Sequence, residues 1–348
     1  MITRFAEVDP VSPDPKIIEE AGELIRNGGL VAFPTETVYG LGGDAFKAES
    51  SKKIYAAKGR PSDNPLIVHI ADPEAAEKAA SDIPETYWLL ADAFWPGPLT
   101  MIIKKSEAMP EETTGGLDTV AIRLPSHPVA AALIKASGGY IAAPSANASG
   151  RPSPTSAKHV KEDLDGRIDM IIDGGSCSIG LESTIVDLSS GKPQILRPGF
   201  ITKEMLEDVL GEVELDPTLL KPSAGRPKAP GMRYRHYAPQ GEMHIYIGEQ
   251  QAVSERINSE LDKAKAYGKR CGVICTEETR DKYEADSVVS VGSRDDVKGA
   301  AAEIYAVLRD FDDKGIEVIC SEAFSEEGYG LALMNRLYKA CGYQVVRV

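Results

Sequence analysis

Cysteine is scarce and odd in number: Cys177, Cys271, Cys275, Cys320 and Cys341 are the whole set in 348 residues. That excludes the disulfide framework of a small secreted protein, and thiols are the expected state. Cys271 and Cys275 fall within one strand-like run, where positions four apart share a face, and core packing explains them better than redox pairing. Positive charge is in deficit, with 39 Lys and Arg against 53 Asp and Glu, a formal charge of −14. Such a surface repels a polyanion over most of its area, which argues against general nucleic-acid coating. No stretch approaches roughly 18 consecutive apolar residues, and the opening MITRFAEVDPVSPDP lacks the basic and then apolar run of a signal peptide. A cytoplasmic protein with no membrane association is expected. There is no GxxxxGK[ST] loop, no intact GxGxxG and no His or Cys cluster at ligand spacing, so no tightly bound protein metal is expected. Gly328 and Gly330 form only a fragment of the dinucleotide pattern.

What is there is an ordinary folding composition, 42% hydrophobic and 26% charged, which excludes a disordered or fibrous chain. At ~150 residues per domain the length predicts two domains. LVAFPT (30–35), LIVHI (66–70), LTMIIK (99–104) and TVAIRL (119–124) read as strands, and 14–28 and 128–138 read as helices stopped by glycine. Between 217 and 241 the text turns to five Pro and five Lys or Arg with no acid, a basic connector. On composition it is either a solvated spacer or a cover for an anionic ligand through Arg233, Tyr234, Arg235, His236 and Tyr237. Beyond it, strand-like and helix-like runs alternate to the end, the signature of an open, largely parallel sheet with helices on its faces. The predicted domains are 1–216, the connector 217–241, and 242–348.

Four segments of the first domain place cations or hydroxyls where a core would not choose them. FPTETVYGLGGDA (33–45) leads a strand out through Pro34 into Thr35, Glu36 and Thr37, where hydroxyls either cap a turn or bind a polar ligand. AAKGRPSDNPLIVHI (56–70) sets Lys58 and Arg60 two apart before Pro61, so an extended backbone would aim both to one side, suiting an oxyanion. His69 sits in an apolar run, the usual place of a hydrogen-bonded core histidine. TVAIRL puts Arg123 inside a strand, which demands a carboxylate partner, structural or substrate. YIAAPSANASGRPSPTS (140–156) ends a strand in a hydroxyl and amide cluster, with Ser145 and Asn147 alternating. Ser183, Thr184 and Arg197 stand at similar strand margins.

Together these segments resemble the YrdC-like threonylcarbamoyl-AMP synthase family in its two-domain form. The KxR and SxN signatures of that family appear as Lys58-Gly59-Arg60 and Ser145-Ala146-Asn147, with PTETVYGL (34–41), RPSDNPL (60–66), ESTIVD (182–187), RPG (197–199) and, in the connector, APGMRYRHYAP (229–239). The resemblance implies an α/β protein with a YrdC-like mixed twisted-sheet catalytic domain and a smaller Rossmann-like α/β/α C-terminal domain. It implies a synthase that joins L-threonine, bicarbonate and ATP into L-threonylcarbamoyl-adenylate, releasing pyrophosphate, with Mg2+ on the ATP phosphates. The product then serves a tRNA-threonylcarbamoyl transferase in tRNA modification. By the same resemblance Thr35, His69, Arg123, Ala143 and Ser183 form the threonine pocket, and Lys58, Arg60, Ser145 and Asn147 the catalytic set. Lys58, Ser62, Thr119, Ser145, Ser153, Arg197 and Tyr234 attend the ATP, and the connector becomes a lid. Two other classes stay open at this level: a double-stranded RNA-binding protein with a local basic groove, and a scaffold for the tRNA-modifying machinery.

Overall fold

The structure is a computed structural model that describes residues 2–219, 229–230 and 237–348. The chain forms two compact units. The first runs to Leu219, apart from Gly150–Pro152, and takes in Ala229 and Pro230 of the connector; the second holds 237–348 together with Gly150–Pro152.

The first unit is built on a mixed sheet. Its strands in chain order are β1 (Arg4–Glu7), β2 (Val31–Phe33), β3 (Gly40–Asp44), β4 (Ile67–Ile70), β5 (Ala80–Asp82), β6 (Leu99–Lys105), β7 (Thr119–Arg123), β8 (Tyr140–Ala143), β9 (Met170–Asp173), β10 (Thr184–Asp187), β11 (Gln194–Arg197) and β12 (Glu214–Leu215). In space they lie β1-β9-β2-β3-β8-β4-β7-β6-β10-β11-β12, with β5 pairing β6. The centre, β8-β4-β7-β6, carries the most chemistry. There β4 and β7 are parallel, while β8 against β4 and β6 against β7 are antiparallel.

Period-two alternation divides these strands between two environments. Val68, Met101, Ile103, Val120, Ile122 and Ala142 turn into the larger core with Leu41, Tyr87, Leu90 and Trp95. Their neighbours in sequence face the other way. Helix Pro15–Arg26 starts where Asp14 caps the Lys16 amide and Pro15 occupies the first turn. It buries Ile18, Ala21, Gly22 and Ile25, one face at helical spacing. A Cβ on Gly22 would lie 2.7 Å from Ala136 Cβ, so glycine is what lets this helix close on helix Pro128–Ala136.

The second unit is a parallel sheet of β13 (Glu242–Ile247), β14 (Cys271–Cys275), β15 (Ser287–Ser290), β16 (Val318–Glu322) and β17 (Val345–Arg347), ordered β15-β14-β16-β13-β17. Helices Gln250–Ala266, Val297–Asp313 and Gly330–Ala340 connect the strands, as the alternation in the sequence predicts. Cys271 and Cys275 are buried core residues packed with Val253, Ile257 and Tyr283. Among the described residues no helix is long and apolar enough to cross a membrane.

Candidate active site

The face of the first sheet turned away from the larger core gathers most of the residues singled out in the sequence. His69 on β4 pairs in register with Arg123 on β7 and Ile141 on β8, and Thr100 on β6 pairs with Arg123. One step along, Ile67 pairs with Ala121 and Ala143, and Ile102 with Ala121. Partners across a ladder point the same way, so Arg123, His69 and Thr100 share a face with Ala121 and Ala143. Ile67 and Ile102, as ladder partners of the two alanines, turn to the same face. Thr119 opens β7, about 13 Å from Arg123 at roughly 3.3 Å per residue, so the two threonine and ATP assignments on this strand belong to opposite ends of one surface.

At the Arg123 end the loop after β2 turns back on itself. Thr35 Oγ1 donates to the Val38 carbonyl at 2.6 Å, lies 2.9 Å from Thr37 Oγ1, and accepts from the Thr37 and Val38 amides. Thr35 is therefore a turn-former as well as a candidate ligand. Ile179 N and Gly180 N donate to the Glu36 and Thr37 carbonyls, pinning this loop to the segment before β10. Arg123 donates through Nη1 to Thr37 Oγ1 at 2.9 Å and through Nη2 to Glu36 Oε1 at 2.6 Å. Its strand-interior position thus has a structural carboxylate partner. His69 is buried, stands edge-on to Phe33, and places Nδ1 3.2 Å from the Ile67 carbonyl. Burial first, and the Arg123 charge second, push its pKa down to about 3, so the ring is neutral at pH 7.

Ser183 and Arg197, assigned to different substrates, touch each other. Arg197 Nη2 lies 3.1 Å from Ser183 Oγ and its Nε 3.0 Å from the Ser183 carbonyl, while Ser183 Oγ is 2.7 Å from Thr100 Oγ1. Thr100 carries this contact back to Arg123 through their shared register.

Lys58 and Arg60 correct the expectation of an extended pair. Lys58 ends helix Ala48–Lys58, and Gly59 stops that helix in the left-handed conformation at φ 63°, open to glycine at no steric cost. The Lys58 ammonium is buried against the SxN loop, donating to the Ser145 and Asn147 carbonyls and to Asn147 Oδ1. Ser145 Oγ donates to the same Oδ1 at 2.6 Å, and Ser149 N returns a bond to the Lys58 carbonyl at 2.8 Å. The two signatures form one cluster. Arg60 instead curls onto its own loop, with Nη2 3.2 Å from the Asn64 and 3.0 Å from the Pro65 carbonyls. Ser62 is exposed in the same loop. Ser153 is buried and donates to Glu182 Oε1.

A family model described as Sua5/YciO/YrdC, telomere recombination, matches residues 23–199, and one described as threonylcarbamoyl-AMP synthase, C-terminal domain, matches 201–342. The chain belongs to the two-domain threonylcarbamoyl-AMP synthase family. It is 50% identical over 331 residues to the threonylcarbamoyl-AMP synthase of Pyrococcus abyssi, covering 95% of this chain and 96% of that one. It is 48% identical over 345 residues to that of Bacillus subtilis, covering 99% and 98%. Among solved structures, P. abyssi Sua5 complexed with L-threonine superposes with a TM-score of 0.94 at 47% identity, covering 99% of this chain and all of that one. A doubly substituted P. abyssi Sua5 gives 0.95 at 47% identity, covering 100% and 98%.

In this member of the family the connector meets the site face. Ala229 is fully buried among Ile67, Ile102, Ala121, Ile185 and Leu196, and the Pro230 carbonyl accepts from Arg197 Nη1 at 3.3 Å. Tyr234, with Arg233, Arg235 and His236, lies outside the described residues. Glu36 is the site residue that the reading of the sequence passed over. Its signal was present, an acid between two threonines where a strand leaves the core, but nothing local names its partner 87 residues away.

Proposed function

We propose that the chain condenses L-threonine, bicarbonate and ATP into L-threonylcarbamoyl-adenylate with release of pyrophosphate, on the sheet face between Arg123 and the Lys58 cluster. The observation that carries this reading is one sheet face with the Arg123 guanidinium toward one end, the KxR and SxN cluster beyond the other, and the uncharged side chains of Ala121, Ala143, Ile67 and Ile102 between. All three substrates carry negative groups, and holding them side by side requires fixed cations at separate points.

In this reading the threonine carboxylate meets Arg123, with Thr35, His69, Ala143 and Ser183 around the rest of the amino acid. The amine, once its ammonium has lost a proton, attacks bicarbonate with loss of water, or attacks the carbon dioxide that dehydration of bicarbonate releases; a carbamate oxygen then attacks the α-phosphorus as pyrophosphate leaves. Lys58, Arg60, Ser145 and Asn147 line the phosphoryl end, with Ser62, Thr119, Ser153, Arg197 and Tyr234 on the nucleotide side. No protein nucleophile is required. Proximity contributes up to about 7–11 kcal/mol in well-oriented reactions, and preorganised charge supplies much of the rest. Mg2+ enters with the ATP phosphates, whose oxygens are the hard ligands it prefers, and no protein side chain is assigned to it. The connector, with Ala229 already seated on the face, shields a hydrolysable adenylate from water. The product passes to a tRNA-threonylcarbamoyl transferase.

The deciding experiment is pyrophosphate release from ATP by the full chain, with and without L-threonine and bicarbonate. Release that needs both is expected; release indifferent to threonine would sink the reading.

A further inference from the structure

Between Ser149 and Ser153 lie Gly150, Arg151 and Pro152, a tripeptide that belongs to the second unit rather than the first. Its two flanks belong to the nucleotide end of the site. Ahead of it, Ser149 N donates to the Lys58 carbonyl at 2.8 Å; behind it, Ser153 is buried and donates to Glu182 Oε1. From Ser149 to Ser153 the chain spans at most roughly 14 Å, too short a run to absorb a displacement of its middle.

Helix Val297–Asp313 grips the tripeptide with residues one turn apart. Arg309 is 1% exposed and donates through Nη2 to the Pro152 carbonyl at 2.6 Å. Pro152 has no N–H, so that carbonyl is the one main-chain group by which the residue can be hydrogen-bonded. Asp312 Oδ2 lies 3.9 Å from Arg151 Nη2, and the Asp312 charge is attracted by both Arg151 and Arg309. The same helix face receives the end of the connector. Tyr305 stacks on Tyr237 with ring centroids 5.2 Å apart, and Asp312 Oδ1 accepts from Gln240 N at 2.7 Å. The two gripped segments also bond to each other, Ala238 N donating to the Gly150 carbonyl at 2.9 Å. Packing a loop on a helix needs only apolar side chains, whereas burying a guanidinium is costly unless its donors are spent. What the arginine adds is direction: its rigid fork fixes where the Pro152 carbonyl points.

We propose that Arg309 is a positioning residue for the nucleotide end of the site: by fixing the Pro152 carbonyl it sets the placement of Ser153 on one side and of the SxN loop on the other. The inference rests on the synthase reading and gives the second unit a part in it, as the anchor of a loop that meets ATP.

The test is equilibrium binding of ATP and of L-threonine to the full chain, with amide hydrogen exchange followed over residues 148–151 and over β13–β17. Arg309→Met keeps the length of the side chain and removes the donor. It is expected to weaken ATP at least tenfold, to leave L-threonine within twofold, and to speed exchange over 148–151 while β13–β17 keep their protection. Arg309→Lys retains a donor for the Pro152 carbonyl and is expected to recover most of the lost ATP affinity. Arg151→Ala removes the pair with Asp312 from a partly exposed position, serves where Arg309→Met does not fold, and is expected to weaken ATP by a smaller factor in the same direction. Wild-type ATP affinity in Arg309→Met or in Arg151→Ala, equal losses of ATP and L-threonine, unchanged exchange over 148–151, or Arg309→Lys no better than Arg309→Met would each overturn the proposal and leave the synthase reading standing. A wild-type chain that binds neither ligand would overturn that reading, and this inference with it.

Discussion

Lys58 and Asn147 stand 89 residues apart in the chain, yet the Lys58 ammonium donates to both the main-chain carbonyl and the side-chain oxygen of Asn147, the latter at 3.3 Å. One cation therefore ties a helix end to the loop after β8. It also holds the Asn147 oxygen that accepts from Ser145 Oγ.

Replacing Lys58 by Met is expected to lower pyrophosphate release about 10²–10³-fold, the scale set by removing one preorganised donor. It also strands two buried carbonyls. Lys58→Arg is expected to rescue little, because a planar fork cannot address three acceptors grouped around a point charge. Steady-state assays on the two variants check this, with thermal unfolding as the companion measurement.

The Arg123–Glu36 pair makes a stability prediction. Arg123→Leu leaves Glu36 buried without its partner and is expected to cost about 3–5 kcal/mol. Removing both charges, with Glu36→Leu added, recovers much of that loss, since the stranded carboxylate goes too. Urea unfolding of the single and double variants reads the difference, and a double variant no better than Arg123→Leu would contradict it.

His69 gives the protein an acid-sensitive contribution of known sign. Its folded pKa, about 3, lies below its ordinary value of 6.5. Between those values the unfolded chain binds a proton that the folded chain refuses. Stability from this group is complete above pH 6.5 and falls as pH drops through the window, by at most about 1.4 kcal/mol per pH unit. Denaturant midpoints measured from pH 6.5 to 5 are expected to fall less steeply in His69→Gln than in the wild type.

The connector prediction uses Ala229, which has no exposed surface. Ala229→Glu would force a carboxylate into the apolar cluster of Ile67, Ile102, Ala121, Ile185 and Leu196 and lift the segment from the face. Adenylate formation is expected to fall at least tenfold while the first unit stays folded. Ending the chain at residue 216 is expected to do the same or worse, and full activity in that fragment would remove the lid.

Strands and helices were legible wherever their pattern is local. LVAFPT, LIVHI and TVAIRL contain β2, β4 and β7, LTMIIK covers all of β6 but Lys105, and the alternation after 242 returns as β13, β14, β16, β17 and three helices, while β15 (Ser287–Ser290) was not read from it. The KxR and SxN signatures were readable as text, and the family they point to holds. The conformation of Lys58-Gly59-Arg60 was not readable, because Pro61 argued for extended backbone while helix Ala48–Lys58 ran on to a glycine stop. The partner of Arg123 was equally hidden. A strand-interior arginine announces that it needs an acid, but the ladder that brings Glu36 to it joins segments far apart in the chain.

Strand β7 serves folding and chemistry with alternate letters: Val120 and Ile122 go to the larger core, Ala121 and Arg123 to the other side. One residue gained or lost within TVAIR would swap the two sets, driving a guanidinium into hydrocarbon and presenting isoleucine to the substrate. Selection cannot shift this strand for one purpose without ruining the other, so the frame in which it is threaded is as much a catalytic requirement as any single side chain.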